Sequence, residues 1–151
     1  MVLAGPAGPL VVARVLGLLT AEAIASLVVR VLKIVFGRWR PGQVLGGQFE
    51  FFDLRSKCHS FPSGHTADAA AVATVLWFVY PRLRPLYVAW VLLMALARVG
   101  AMQHFVADAA TGAALGILCA LVVGRNLDAM ERWIGRHLTP GPADGRAAET
   151  R

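Results

Sequence analysis

LVVARVLGLLTAEAIASLVVRVLKIVF, Leu10 to Phe36, decides the fold. It is long enough to cross a bilayer as one helix, which takes roughly 20 apolar residues. Its charges, Arg14, Glu22, Arg30 and Lys33, are widely spaced. The chain around it has the same character: 57% of its residues are hydrophobic, 16% are charged, and mean hydropathy is +0.59. A soluble domain carries about 25% charged residues, so this balance points to an integral membrane protein.

Three further apolar runs follow, Thr66 to Tyr80, Leu86 to Met102 and His104 to Val123. The last reaches spanning length, and the first of them does so only if its helix begins near Ser63. The middle run is short and bounded by Pro85 and the Gly100 region. The expectation is an all-α integral membrane bundle of about four transmembrane helices, with residues 1–124 as one membrane-embedded domain. Residues 125–151 are polar, and Pro140, Gly141, Pro142 and Gly145 break any late structure. Arg125 to His137 is expected as a short interfacial helix with Trp133 and Ile134 against lipid, and the remainder as a disordered tail.

The net charge of +6 does not point to nucleic acid, because the basic residues form no dense run and are not interleaved with aromatics. They sit near helix ends, where lipid headgroups and phosphates lie. Cys58 falls in a polar loop and Cys119 in an apolar helix, which argues against a disulfide. MVLAGPAGPL at the start has no basic stretch, and no small-residue cleavage site follows it, so the first helix is expected to stay in the membrane. Four spans place both termini and the PRLRP turn, Pro81 to Pro85, on one side. Arg82 and Arg84 make that side cytoplasmic by the positive-inside rule. Loop 37–65 and the turn near Gly100 to Gln103 then face outward together, although Arg38, Arg40, Arg55 and Lys57 in the outer loop run against the rule.

Three polar blocks meet on that outer face: KIVFGRWRP (33–41), PSGH (62–65) and RVGAMQHFVAD (98–108). His104 and Asp108 are four apart and stack on one face if helical. The carboxylate can then take the Nδ1 proton and leave Nε2 free as a nucleophile; the plainer reading is a routine helix-start pair. An ionisable pair in a membrane segment favours function. A turn at Gly100 lets Arg98 end one helix and point into the same cavity as His104, or Arg98 simply snorkels to the interface. PSGH opens a helix whose first N–H groups can hold an anion, with Ser63 and Gly64 at its start and His65 placed to protonate a leaving oxygen. It is also a common turn string. Lys33 and Arg40, two helical turns apart before Pro41 stops the helix, either pair on phosphate or anchor a membrane exit.

KX6RP, PSGH and RX5HX3D, in that order, resemble the signature of the type 2 phosphatidic acid phosphatase superfamily, which includes lipid phosphate phosphatases, bacterial acid phosphatases and vanadium haloperoxidases. The resemblance covers about residues 30–120. It implies that His104 forms a phosphohistidine, that Asp108 orients it, and that His65 is the general acid and later the base for water. It further implies that Lys33, Arg40, Ser63, Gly64 and Arg98 hold the phosphoryl oxygens, with no metal or other cofactor. A bacterial member of this kind would sit in the inner (plasma) membrane with its site toward the periplasm. Two departures stand out. Ala97 precedes Arg98 where the family has Ser, and four spans replace the usual six, the missing ones preceding Lys33. This suggests a compact member or a chain begun late, and leaves room for a homo-oligomer in which a second subunit supplies the missing wall.

The expected function is therefore a metal-independent membrane phosphatase acting on a lipid phosphate monoester or diphosphate. Phosphotransfer to an alcohol through the same intermediate, and non-catalytic phospholipid binding, are the alternatives. Phosphatidic acid, phosphatidylglycerophosphate, polyprenyl diphosphate and the lipid A phosphate all remain open. Glu22, costly inside a span, is expected to pair with Arg14 or Arg30. Asp68 is expected to hydrogen-bond within the bundle. Cys58, His59 and His65 fit no standard metal set. FEFF, Phe49 to Phe52, is expected at the interface, lining a lipid entrance.

Overall fold

The computed structural model describes residues 8–43, 45–126 and 129. Four helices run up, down, up and down: α1 (Gly8–Phe36), α2 (Gly64–Val79), α3 (Arg84–Gly100) and α4 (Val106–Gly124). Short 3-10 turns at Ser56–Cys58 and Pro81–Leu83 punctuate the connections. The architecture is the expected all-helical bundle. The expected interfacial helix from Arg125 and the tail to 151 lie outside the described residues, apart from 125, 126 and 129.

Among the described residues, three stretches are long and apolar enough to cross a membrane, Val11–Phe36, Pro81–Gly100 and Val106–Gly124. The second helix starts next to Ser63, as a spanning helix there requires, yet it stays short. With 16 residues it is about 24 Å long, short of a bilayer core of about 30 Å. It is instead the centre of the bundle, packed on α1, α3 and α4. Its alanines, Ala67, Ala69, Ala70, Ala71 and Ala73, are buried together with Val75.

Small residues let the other helices approach it. On α1, Ala13, Gly17, Ala21, Ala25 and Val29 recur every four residues and form one buried stripe. Val15, Leu16, Leu19 and Leu27 on the same helix are exposed, as side chains facing lipid would be. On α4 the buried stripe is Ala109, Gly112, Gly116 and Ala120. A Cβ at Gly116 would stand 2.1 Å from the Ala67 carbonyl oxygen, and one at Gly112 would stand 2.3 Å from that of Ser63. Only glycine permits backbones this close, the small-xxx-small logic of membrane helix pairs.

Helix α1 ends at Phe36 because Gly37 adopts φ +50 and returns its N–H to the Lys33 carbonyl. The stop is therefore this left-handed glycine cap, four residues before the expected stop at Pro41. The chain then extends through Arg38, which bridges to Phe49, and loop 37–63 folds back over the ends of α2 and α4. Phe36, Phe49, Phe51 and Phe61 pack edge to face or stacked within it, while Phe51 and Phe52 are exposed. Glu22 pairs with neither Arg14 nor Arg30: its Oε2 is buried without a partner. Each arginine is eight residues away, about 12 Å along the helix, which a carboxylate and guanidinium do not bridge.

Candidate active site

Up-and-down topology brings the C-terminal ends of α1 and α3 to the N-terminal ends of α2 and α4, so all three polar blocks meet at one end of the bundle. A cavity of about 220 Å³ opens there, lined by Lys33, Arg40, Gly64, His65, Arg98 and His104 among others. Six of the residues expected at the site thus come together. Ser63 and Asp108 lie behind this wall, both fully buried.

His104 is 3% exposed and belongs to no helix, because α4 starts two residues later at Val106 with Phe105 as its N-cap. The expected helical stacking of His104 on Asp108 is therefore absent. The turn before it is made by Met102, at φ +53, rather than by Gly100, which ends α3. His104 Nδ1 lies 2.7 Å from the Ser60 carbonyl oxygen and 3.9 Å from Asp108 Oδ2. A carbonyl only accepts, so Nδ1 carries the proton and Nε2 keeps a free lone pair. Burial, with the nearby Lys33 charge, pushes the imidazole pKa down to about 4 against the opposing pull of the Ser60 hydrogen bond and Asp108. The ring is neutral at physiological pH.

Asp108 is occupied elsewhere. Arg38 Nη1 donates to its Oδ1 at 2.6 Å, and Oδ2 accepts from Ser60 Oγ at 2.6 Å and from the Phe105 N–H at 2.9 Å. The last bond caps α4 from its third position and sets where the helix begins. The expected direct contact with Nδ1 is thus replaced by an indirect one through Ser60, whose hydroxyl holds the acid and whose carbonyl holds the imidazole. Arg38 also lies over the Phe105 ring, 4.2 Å from its centroid. The sequence does not mark Arg38 or Ser60, because the KX6RP spacing passes over Arg38 and nothing in SFPSGH singles out its first serine.

The phosphate-facing groups divide in the same way. Lys33 Nζ donates to the His59 carbonyl at 2.7 Å and reaches the cavity with Arg40. These two converge through the reversal at Gly37, not as neighbours on one helix. Arg98 is bonded to the Gln103 side chain. Arg40 and Arg98 each leave Nε buried with no partner among the described residues. Ser63 does not face the cavity: its hydroxyl pairs with Thr66 Oγ1 at 2.9 Å, and its N–H donates to the Asp108 carbonyl at 2.9 Å. It ties α2 to α4 in place of the expected phosphate contact. The N–H groups of Gly64, His65 and Thr66 open α2 and have no intrahelical acceptor.

Ser26, Val29, Arg30 and Asp68 complete the lining. Asp68 Oδ1 accepts from Ser26 Oγ at 3.1 Å, the expected bond within the bundle. Glu50, Asp53 and Cys58 are close enough to suggest metal ligands. Arg55 bridges both carboxylates and holds that of Asp53 well below its usual range, so its charge already offsets one of the two. A larger cavity of about 390 Å³ lies between α2, α3 and α4. Its lining, Trp77, Phe78 and Leu92 among others, offers no group able to act on a phosphate.

The arrangement presents an unprotonated imidazole nitrogen to a cavity ringed by cations and helix-start N–H groups. Comparison with known proteins agrees with it. The sequence profile of the PAP2 superfamily matches residues 14–129. A lipid A 1-phosphatase of Rhizobium etli is 30% identical over 115 residues, covering 72% of this chain and 50% of that protein. One of Rhizobium johnstonii is 32% identical over 108 residues, covering 67% and 44%. The chain spans about half the length of these curated relatives. No solved structure matches it significantly. With the profile covering most of the chain, including all three polar blocks, the chain belongs to the PAP2 superfamily.

Proposed function

We propose that this chain is a membrane phosphatase that removes phosphate from a lipid by way of a phosphohistidine on His104. The observation that carries the reading is the free Nε2 of a neutral His104 in a cavity with Lys33, Arg40 and Arg98. In the first step Nε2 attacks phosphorus, the bond to the leaving oxygen breaks, and His65 gives that oxygen a proton. In the second, His65 takes a proton from water, which attacks phosphorus; the N–P bond breaks and phosphate leaves. Lys33, Arg40, Arg98 and the N–H groups beginning at Gly64 balance the charge on the phosphoryl oxygens, so no metal is needed. Asp108 acts as a positioning residue through Ser60. The site opens at the periplasmic face of the inner membrane, within reach of lipid headgroups. The relatives' lipid A 1-phosphatase names make a lipid A-type 1-phosphate the first substrate to test.

The test is phosphate release from a lipid panel by detergent-solubilised protein in excess chelator. Turnover that is inhibited by vanadate and abolished in His104→Ala is expected. Turnover retained in that variant, or lost on chelation, refutes the mechanism.

A further inference from the structure

The cavity extends past the phosphate-facing cations. Ser26, Val29, Arg30 and Lys33 follow one face of α1 at helical spacing, and all four line it. Ser26 lies seven residues before Lys33, about 10 Å further along the helix. On the opposing wall Asp68 is one turn, about 4.5 Å, beyond His65. The cavity therefore has two polar ends, one cationic around His104 and one formed by Ser26 and Asp68.

Asp68 is not explained as an ion-pair partner. Arg30, Lys33, Arg40 and Arg98 line the same cavity, yet among the described residues none makes a salt bridge to it. Its Oδ1 is held by Ser26, and among the described residues its Oδ2 accepts no hydrogen bond. A carboxylate near a bound phosphate repels it, a cost that a hydrogen-bond donor on the rest of the substrate would offset. In-line displacement puts the leaving oxygen opposite His104, on the His65 side. The next atoms of the leaving group then pass Asp68.

We infer that Asp68, braced by Ser26, selects a lipid phosphate whose leaving group carries a hydrogen-bond donor one carbon from the ester carbon; this rests on the phosphatase reading above. Two lipid chemistries offer that donor. A glycolipid 1-phosphate has an amide or hydroxyl at C2 of its sugar, and a glycerophosphate headgroup has a free hydroxyl at C2. Phosphatidic acid, acylated at that carbon, has none, and neither does a polyprenyl phosphate.

The experiment measures kcat/KM in detergent for two matched pairs: phosphatidylglycerophosphate against its 2-deoxy headgroup analogue, and a glucosamine 1-phosphate glycolipid against its 2-deoxy analogue. Wild-type protein should prefer the donor-bearing member of at least one pair by about tenfold, as expected for a hydrogen bond to a charged acceptor. The pair that shows the preference identifies the source. Asp68→Asn still offers an oxygen to Ser26 but turns an N–H toward the substrate, and should bring that ratio close to one. A ratio near one in the wild type for both pairs, or a preference that survives in Asp68→Asn, overturns the inference. The wild-type comparison needs no variant and stands even if Asp68→Asn misfolds. Turnover of phosphatidic acid by wild type with the same kcat/KM as the donor-bearing lipids refutes this inference alone. Failure to turn over any lipid refutes the phosphatase reading with it.

Discussion

Replacing Arg38 with Met separates two ways of building this site. Asp108 is 0% exposed and receives one cationic donor, Arg38, and two neutral ones, Ser60 Oγ and the Phe105 N–H. Arg38→Met removes the charge, keeps an apolar stem, and leaves a buried carboxylate without its counter-ion. Removing one partner of a buried pair costs about 3–5 kcal/mol. The Arg38 side chain is 17% exposed, so water can partly replace it, and the low end, about 3 kcal/mol, applies. Loss of its stacking on Phe105 adds about 0.5–1 kcal/mol. Asp108→Asn removes the same pair from the other side, so the double variant should be little worse than either single one, with a coupling of about 2–3 kcal/mol. Thermal unfolding in detergent, followed by tryptophan fluorescence, supplies the cycle. If Asp108 were instead the direct partner of His104, Arg38 would be a peripheral cation and the two substitutions would add. A coupling below about 0.5 kcal/mol refutes the arrangement.

The α2–α4 contact gives a second expectation. Gly116→Ala drives a Cβ against the Ala67 carbonyl and the Ala71 N–H, backbone atoms that cannot move aside, and should cost about 1–3 kcal/mol in the same unfolding assay. Gly100→Ala, where an added Cβ meets nothing within 4 Å, is the control and should be neutral or slightly stabilising; equal effects would contradict the packing. The third concerns pH. His104 has a folded pKa of about 4 against an ordinary value near 6.5, so between those values the unfolded chain binds the extra proton. Its contribution is fully present above pH 6.5 and is lost as pH falls toward 4, up to about 3 kcal/mol in all. The dependence of Tm on pH across that window should flatten in His104→Asn, whose amide can still donate to Ser60; an unchanged slope would show that another group titrates.

The sequence shows three of the four expected spans through run length, and it shows the start of α2 through Pro62 and Ser63, because these features are local. The first helix stop is also local, since Gly37 is the residue a left-handed cap requires, and it precedes the stop expected at Pro41. The start of α4 was not. It depends on Asp108 reaching back to the Phe105 N–H and on Met102 accepting a positive φ, neither of which local composition signals. The same division holds at the site. Residues that point into the cavity, Lys33, Arg40, His65, Arg98 and His104, were legible because their types suit phosphate chemistry. Arg38 and Ser60 were not, because their importance comes from loop 37–63 closing onto α4, through contacts between residues 70 and 48 apart in sequence.

That closure bears on how the proposed nucleophile works. A carboxylate bonded directly to Nδ1 would orient the imidazole but also favour its protonated form, which cannot attack. A carbonyl in that place fixes the same tautomer while adding no charge. Ser60 supplies the carbonyl, and Asp108 holds Ser60 by its hydroxyl, so the acid positions the ring without competing for its lone pair. Arg38 offsets the charge Asp108 carries while the ring is neutral. Once phosphoryl transfer makes the imidazole cationic, Asp108 at 3.9 Å is close enough to stabilise it through space. Removing Asp108 should therefore damage two things at once, the cap that starts α4 and the serine that aims His104. Loss of activity in Asp108→Asn then carries meaning only beside Ser60→Ala, which removes the hydroxyl that Asp108 holds but leaves the cap: in the proposed reaction that variant lowers kcat with a smaller loss of melting temperature than Asp108→Asn.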